Sequence, residues 1–557
     1  MKTKVVIIGG VAGGANAATR LRRLSEDYQI TMIERGEDVS FANCGLPYYV
    51  GGEIEKKEKL LLQSPLAFKT KYNIDVLVKH EVIKIDKVNN QVAVLNLLTN
   101  ELFSLDYDHL VIATGGSAFI PPIKGRDSKL VYTVRDVPDV VKIKNFIEIN
   151  KSRSATVVGG GFIGIEMAEQ LAHLGLKVRV VQSQNQVLGQ LDQEMAELVH
   201  DELRAQNIEL ILGDALSEIN EKSEEEGRLS AEIVTKNGQH FDTDLIILAI
   251  GIRPESKLAK DAGLELGESG GIKVDNYLKT SHSNIWAVGD CIEVKDLVTN
   301  QSRIIPLAGP ANRQGRVVAN NIHKANSDQY RGSLGTSVLR VFSLTVATVG
   351  ASERLLNSNK INFEVIYLHP NSHAGYYPGA TPITFKVLFD KSSRKLLGVQ
   401  AIGKNGVEKR VDVLATAIKS NLTIDEIADL ELCYAPPYGS AKDPVNMIGM
   451  MAQNICDGLV TNYNWDHLSS LPENFVLLDV REEGECSKGM IPNAVNIPLS
   501  RLREEITSFD RSKEYVLYCQ SGQRSYNACR ILSSHGFKSY NLSGAYRTYL
   551  MKKRLLA

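Results

Sequence analysis

The sequence predicts an α/β protein of several domains, and three observations carry that prediction. Two apolar strands, residues 4–8 and 155–158, each run into a glycine loop, a helix and a second strand. Short strands alternate with helices between residues 335 and 458, and a further strand–loop–helix series begins near residue 475. At 557 residues the chain is too long for one hydrophobic core, so these segments belong to separate domains.

In the first segment, Gly9-Gly10-Val11-Ala12-Gly13-Gly14 leads into an alanine-rich helix ending near Leu24, then a strand over 30–34 that closes on Glu34. Glycines allow the tight turn, the helix N-terminus faces a pyrophosphate, and the terminal acid accepts from ribose hydroxyls. Val11 stands where the middle glycine is usual. In the second segment the G-x-G-x-x-G run is complete at Gly159, Gly161 and Gly164, with a helix through Ala172 and a strand over 178–181. One such motif is weak, but two in the same strand–turn–helix–strand context imply two dinucleotide sites. Strands over 108–115, 244–251 and 285–290 complete the pattern, the last ending in Asp290. The second nucleotide domain (119–245) is expected to interrupt the first (1–118 and 246–325), which closes with a helix over 313–322.

Residues 326–455 read as an α+β domain, 456–469 as a short linker, and 470–557 as a further α/β module. Net charge is −1, which gives no reason to expect nucleic acid or an anionic membrane as partner. The strand at 5–8 lacks the length and flanks of a signal peptide, and no apolar run approaches the ~18–20 residues of a membrane span. A cytoplasmic protein is expected.

Seven cysteines are scattered without any C-x-x-C, so no metal site is expected. A free cysteine is ordinarily a small buried hydrophobe, and two contexts here depart from that. Cys44 lies in Ser40-Phe41-Ala42-Asn43-Cys44-Gly45-Leu46-Pro47-Tyr48, shortly after the first nucleotide unit. Cys519 opens Cys519-Gln520-Ser521-Gly522-Gln523-Arg524-Ser525, between a strand at 515–518 and a helix at 525–534. Backbone N–H groups in such a loop, with the helix N-terminus, favour a thiolate or persulfide anion, and Arg524 adds charge or braces the loop. Cys529, inside the helix, is read as packing.

Residues 1–452 resemble the single-cysteine branch of the pyridine nucleotide–disulfide reductase superfamily, which includes coenzyme A-disulfide reductases. The motifs are residues 40–48, Tyr376-Tyr377-Pro378-Gly379, and Tyr434-Ala435-Pro436-Pro437-Tyr438 with Lys442-Asp443-Pro444. Residues 470–557 resemble a rhodanese module through Asp479-Val480-Arg481, residues 489–498 and the Cys519 loop. The order resembles coenzyme A-disulfide reductase–rhodanese fusions, some described as NADH-dependent persulfide reductases.

The resemblance implies two Rossmann-like dinucleotide-binding domains, for FAD and NAD, then an α+β dimerisation domain and a C-terminal rhodanese domain in a homodimer. FAD would be held by Gly9, Val11, Ala12, Gly14, Glu34 and Arg35, with Asn43, Val82, Thr114, Gly115 and Arg135, and with Asp290, Ala308 and Tyr434. The nicotinamide cofactor would contact Gly159, Gly161, Phe162, Ile163, Gly164 and Glu166, with Gln182 and Gly251. Gln182, Ser183 and Gln184 include no arginine for a 2′-phosphate, which favours NADH and leaves NADPH open. Coenzyme A would be met by Asn16, Arg20, Arg23, Ser40, Asn43, Lys71 and Lys442. Two positions depart from the family: Tyr72 replaces a lysine, with Lys71 adjacent, and Asn312 replaces a histidine.

In the implied reaction Cys44, as thiolate, attacks coenzyme A persulfide, polysulfide or coenzyme A disulfide. Tyr376 and Tyr434 of the partner subunit serve the departing thiolate, and Cys519 handles sulfane sulfur. The alternative is an NADH oxidase or peroxidase that cycles Cys44 through sulfenic acid. That branch typically carries a histidine in the first glycine loop, where this chain has Ala12.

Overall fold

The structure is a computed structural model and describes residues 2–222 and 227–555. The chain divides into two compact units, Met1–Val187 with Leu203–Gly335, and Leu188–Glu202 with Thr336–Ala557.

In the first unit, Thr3–Ile8 is the central strand of a five-stranded parallel sheet. Tyr28–Glu34 and Asp75–Val78 follow on one side, His109–Ile112 and Ile285–Ala287 on the other. The order therefore reverses at the C-terminal end of Thr3–Ile8, where open α/β sheets bind their ligands. A second parallel sheet repeats the plan around Ser154–Val158, with Lys177–Gln182 and Glu209–Leu212 on one side and Ile246–Leu248 and Val131–Tyr132 on the other. Both central strands are buried on both faces, which explains their unbroken apolar runs.

In the second unit, a five-stranded antiparallel sheet runs in the order Ser337–Val341, Leu344–Gly350, Lys395–Gly403, Ile383–Asp390, Glu364–Leu368. The C-terminal module is a parallel sheet in the order Thr461–Tyr463, Lys538–Leu542, Glu514–Tyr518, Phe475–Asp479, Val495–Asn496. One element differs from the sequence expectation. Thr461–Tyr463, inside the expected linker, is an edge strand paired with Lys538–Leu542. Three residues without apolar alternation carry no strand signal. Leu188–Glu202 packs with the second compact unit.

A buried charge cluster holds that segment. Lys386 is fully buried, with Nζ 2.5 Å from Glu194, 2.9 Å from Asp192 and 3.1 Å from Glu353. Gln400 donates to Asp192 at 2.6 Å, and Tyr367 donates to Glu194 at 2.6 Å. Burial alone would raise the Glu194 carboxyl, but Lys386 and then Lys552 outweigh it and hold it at about 2. Among the described residues no helix is long and apolar enough to cross a membrane.

Removing the ammonium strands two buried carboxylates, so Lys386→Met is expected to destabilise the second unit by about 3–5 kcal/mol. A carboxyl whose folded pKa lies below its unfolded value stabilises above the unfolded value. The Glu194 contribution is therefore complete above about pH 4.5 and lost as pH falls toward 2. Urea unfolding of both proteins across that range measures it, with a flatter profile expected for Lys386→Met.

Candidate functional site

The first glycine loop works by backbone proximity. A Cβ on Gly9, at φ +99°, would lie 2.2 Å from the Ala113 carbonyl oxygen, and one on Gly14 would lie 2.0 Å from the Gly9 oxygen. Neither position admits another residue. Val11 instead sits at a negative φ of −101°, outside the left-handed region that favours glycine, just before the helix Ala12–Leu24. Glu34 secures the loop, accepting from Gly10 N–H and Gly36 N–H, each at 2.9 Å.

These elements open onto a cleft of about 1300 Å³, counting space shared with solvent. Its walls include Gly9, Val11, Ala12, Glu34, Arg35, Asn43, Val82, Thr114, Gly115, Arg135 and Asp290. Gly14 is buried behind the loop, and Ala311 rather than Ala308 reaches the wall from the helix Ala308–His323. Tyr434 belongs to the second unit and is not part of this wall. Asp38 places a buried Oδ2 in the wall with no partner among the described residues, an acceptor suited to a ligand donor. A helix N-terminus, a Cβ-free approach and an unused acceptor fit an adenine dinucleotide.

Cys44 lies in the short turn Asn43–Gly45, exposed, and Asn43 lines the cleft. Loss of hydration pushes its thiol above the ordinary cysteine value, and the carboxylates of Glu166 and Asp290 push it further. The charges of the chain itself thus do not favour the thiolate form in which Cys44 is expected to attack. Burial likewise raises Asp290, with Arg135 opposing. Glu166 accepts from the Tyr48 hydroxyl at 3.1 Å.

Facing helices carry a basic cluster that the sequence showed only in part. Arg20 donates to Asn320 at 2.9 Å; partial burial, Arg316 and Arg23 lower its pKa. Arg313 and Arg316 repeat the three-residue spacing of Arg20 and Arg23 and could have been found by it. Asn16 donates to Asn312 at 3.2 Å, the position that departs from the family histidine. Lys71 is exposed on the helix Pro65–Tyr72, and Ser40 adopts φ +52° with its N–H donating to Gly10 O at 2.8 Å. Arg22, between the two candidate arginines, is instead structural: it is buried and donates to the carbonyls of Tyr28, Tyr72 and Asn73.

The second glycine loop has the same construction. A Cβ on Gly159 would meet Ala249 O at 2.3 Å and one on Gly164 would meet Gly159 O at 1.9 Å, whereas Gly161 faces open space. Gly161 precedes the helix Phe162–His173, with Ile163 exposed on its first turn, and Gly251 sits at φ +111°. Gln182 accepts from Gly160 N–H at 3.1 Å, the position of Glu34 in the first loop. No metal site was expected, yet Glu53, Glu169 and His173 bring ligand atoms within 4.8 Å of one another, while Gln170 donates to Glu53.

In the second unit the Tyr376 and Tyr434 hydroxyls lie 2.9 Å apart, on side chains 76% and 47% exposed. That hydrogen bond raises the Tyr376 phenol. Lys442 is exposed just before the helix Pro444–Cys456. Cys519 is buried at the end of Glu514–Tyr518; Gly522 N–H donates to its Sγ at 3.1 Å and the Ser525 hydroxyl approaches at 3.6 Å. Arg524 braces the loop through a two-point pair with Glu485 at 2.6 and 2.7 Å. Glu485, which the sequence did not single out, is held at about 2 chiefly by that pair. Burial pushes Cys529 up to about 12, as befits a packing thiol.

Two nucleotide folds, an exposed cysteine beside the first cleft and a second thiol held in a strand-to-helix loop define an oxidoreductase fused to a further thiol-bearing α/β module. The chain belongs to the pyridine nucleotide-disulphide oxidoreductase family: that family model matches residues 3–315, its dimerisation domain 336–444, and a rhodanese-like domain 465–552. The family implies FAD and a nicotinamide cofactor. The coenzyme A disulfide reductase of Staphylococcus haemolyticus is 37% identical over 453 residues, covering 81% of this chain and 100% of that protein. The reduced Bacillus anthracis CoADR-RHD structure is 47% identical, with TM-score 0.96 over 99% of this chain and 98% of that one. An NAD-dependent persulfide reductase from A. fulgidus is 36% identical, with TM-score 0.90 over 98% and 100%.

Glu166→Gln removes a like charge from Cys44 and is expected to speed its alkylation by iodoacetamide at pH 8 severalfold, read by peptide mass spectrometry. The direction follows because the thiolate is the reactive species.

Proposed function

We propose that this protein is an FAD-dependent homodimer that reduces the sulfur–sulfur bond of coenzyme A persulfide, polysulfide or coenzyme A disulfide with NADH, while Cys519 handles sulfane sulfur. The observation that carries it is the pairing of one exposed thiol beside a dinucleotide cleft with a second thiol receiving backbone N–H donation.

Bound FAD supplies the two-electron step between nicotinamide and sulfur. Cys44 loses its proton and attacks a sulfur bonded to coenzyme A, forming a Cys44–S–S–CoA bond. The same step breaks the substrate S–S bond and releases coenzyme A thiolate from the disulfide, or sulfide from the persulfide. Two electrons and two protons then return Cys44 and coenzyme A as thiols. The exposed Tyr376–Tyr434 pair suits a subunit interface, from which a hydroxyl donates to the departing thiolate. Arg20, Arg23 and Arg316 take the coenzyme A phosphates, whose planar bidentate contacts suit guanidinium. Gln182 gives no cation for a 2′-phosphate, which supports NADH over NADPH. In the C-terminal module the Cys519 thiolate attacks the terminal sulfur of a donor, breaks the donor's S–S bond with release of the donor thiolate (sulfite from thiosulfate), and holds the sulfur as a persulfide facing Gly522 N–H.

The decisive experiment mixes NADH-reduced enzyme anaerobically with coenzyme A persulfide, coenzyme A disulfide or oxygen and follows flavin reoxidation by stopped flow. Fast reoxidation by a coenzyme A substrate, lost about 10³-fold or more in Cys44→Ser, is the expected result. Oxygen outpacing both would transfer the chain to the oxidase reading. Because the chain raises the Cys44 pKa, kcat/KM for coenzyme A disulfide should climb with pH through and beyond about 8.5. Loss of the donor hydroxyl in Tyr434→Phe should lower kcat about ten- to a hundredfold with NADH reduction of the flavin unchanged.

A further inference from the structure

The carbonyls of the Cys519 loop end on another helix. Tyr546 N–H donates to Cys519 O at 3.0 Å and Arg547 N–H to Gln520 O at 3.2 Å. Both donors belong to the first turn of the C-terminal helix Ala545–Lys553, where backbone N–H groups lack intrahelical acceptors. In a planar trans peptide the N–H points opposite to its C=O. Turning the Cys519 and Gln520 carbonyls toward this helix therefore turns the amides of Gln520 and Ser521 away from it. That orientation is what an anion-holding loop requires. The Tyr546 ring lies 4.1 Å from the Arg481 guanidinium, which also donates to the Gln520 side chain at 3.3 Å.

The far side of the same helix rests on the antiparallel-sheet domain. His369, directly after the strand Glu364–Leu368, bonds Thr548 Oγ1 through Nε2 at 3.2 Å and Thr384 Oγ1 through Nδ1 at 3.0 Å. Burial, then Arg547, pushes this histidine down to about 3, so it is a neutral ring between two hydroxyls. Gly544, at φ +71° before the helix, sits where a Cβ would come within 2.6 Å of Tyr367 Cβ. At the other end Lys552 Nζ approaches Glu194 at 4.0 Å and lies 3.4 Å above the Trp465 ring.

We propose that the helix Ala545–Lys553 is a strut through which the antiparallel-sheet domain sets the Cys519 loop, with His369 and Thr548 as positioning residues for sulfur transfer. The observation behind this is one short helix bonded on one side to the loop backbone and on the other to a buried neutral imidazole of a different domain. The proposal rests on the reading of Cys519 as a sulfur carrier. It makes the rhodanese-like module dependent on the domain beneath it for its rate, beyond being tethered to it.

The test compares full-length, FAD-loaded wild type, Thr548→Val, His369→Ala and His369→Gln, with thiosulfate as sulfur donor and cyanide as acceptor. Thr548→Val keeps the side-chain shape and removes only the hydroxyl, so it decides the matter should His369→Ala not fold. The strut predicts kcat for sulfur transfer reduced about ten- to a hundredfold in Thr548→Val and His369→Ala, with KM for thiosulfate unchanged. His369→Gln should recover much of the rate, and NADH-linked coenzyme A disulfide reduction should match wild type in all. Transfer within twofold of wild type in both variants overturns the proposal, as does an equal fall in both activities in folded protein. A wild type that does not transfer sulfur overturns the reading of Cys519 and the strut together.

Discussion

Everything in the first unit depends on one steric permission: backbone atoms of the two glycine loops approach their neighbouring strands more closely than a Cβ allows. Gly9 against Ala113 and Gly159 against Ala249 put each helix N-terminus at the point where its sheet reverses order. The cleft, the placement of Asn43 and Cys44 at its edge, and the second cofactor loop all follow. Where the loops do not need that closeness the rule relaxes, as Val11 does at a negative φ.

The two candidate thiols have different neighbours. Cys44 faces the carboxylates of Glu166 and Asp290, which disfavour its charged form. Cys519 receives an N–H from Gly522 and lies beside an arginine already committed to Glu485. In the proposed reaction, a thiol that attacks a large anionic substrate and one that keeps a sulfur anion have different needs. On the proposed function, Cys44 relies on access and on the cations of Arg20, Arg23 and Arg316, and Cys519 on backbone donors held at fixed angles. Rigid donors cost nothing to reorganise when charge develops, which is why the loop's anchoring matters as much as its composition.

The second unit carries its charges inside. Lys386, Glu194 and Asp192 are all buried, an arrangement tolerated because each charge is met by opposite charge and hydrogen bonds. It ties Leu188–Glu202 to the antiparallel sheet, while Lys552 extends the same network to the C-terminal helix.

Much of this was legible in the chain alone. The repeated strand–glycine–helix pattern determined two nucleotide folds, because tight turns and buried parallel strands demand particular residues at short spacing. The cysteine contexts pointed to Cys44 and Cys519 as candidates, whereas Tyr376 and Tyr434 entered through the family resemblance and not through spacing. What the chain could not show was anything that depends on residues distant in sequence. The Arg316 face opposite Arg20, the Glu485 brace, the edge strand Thr461–Tyr463, and the contact of His369 with Thr548 appear only once the backbone has folded. So does the acidic surrounding of Cys44. A pKa and a hydrogen bond depend on distance in space, and local sequence specifies distance only within an element; tertiary packing decided the rest.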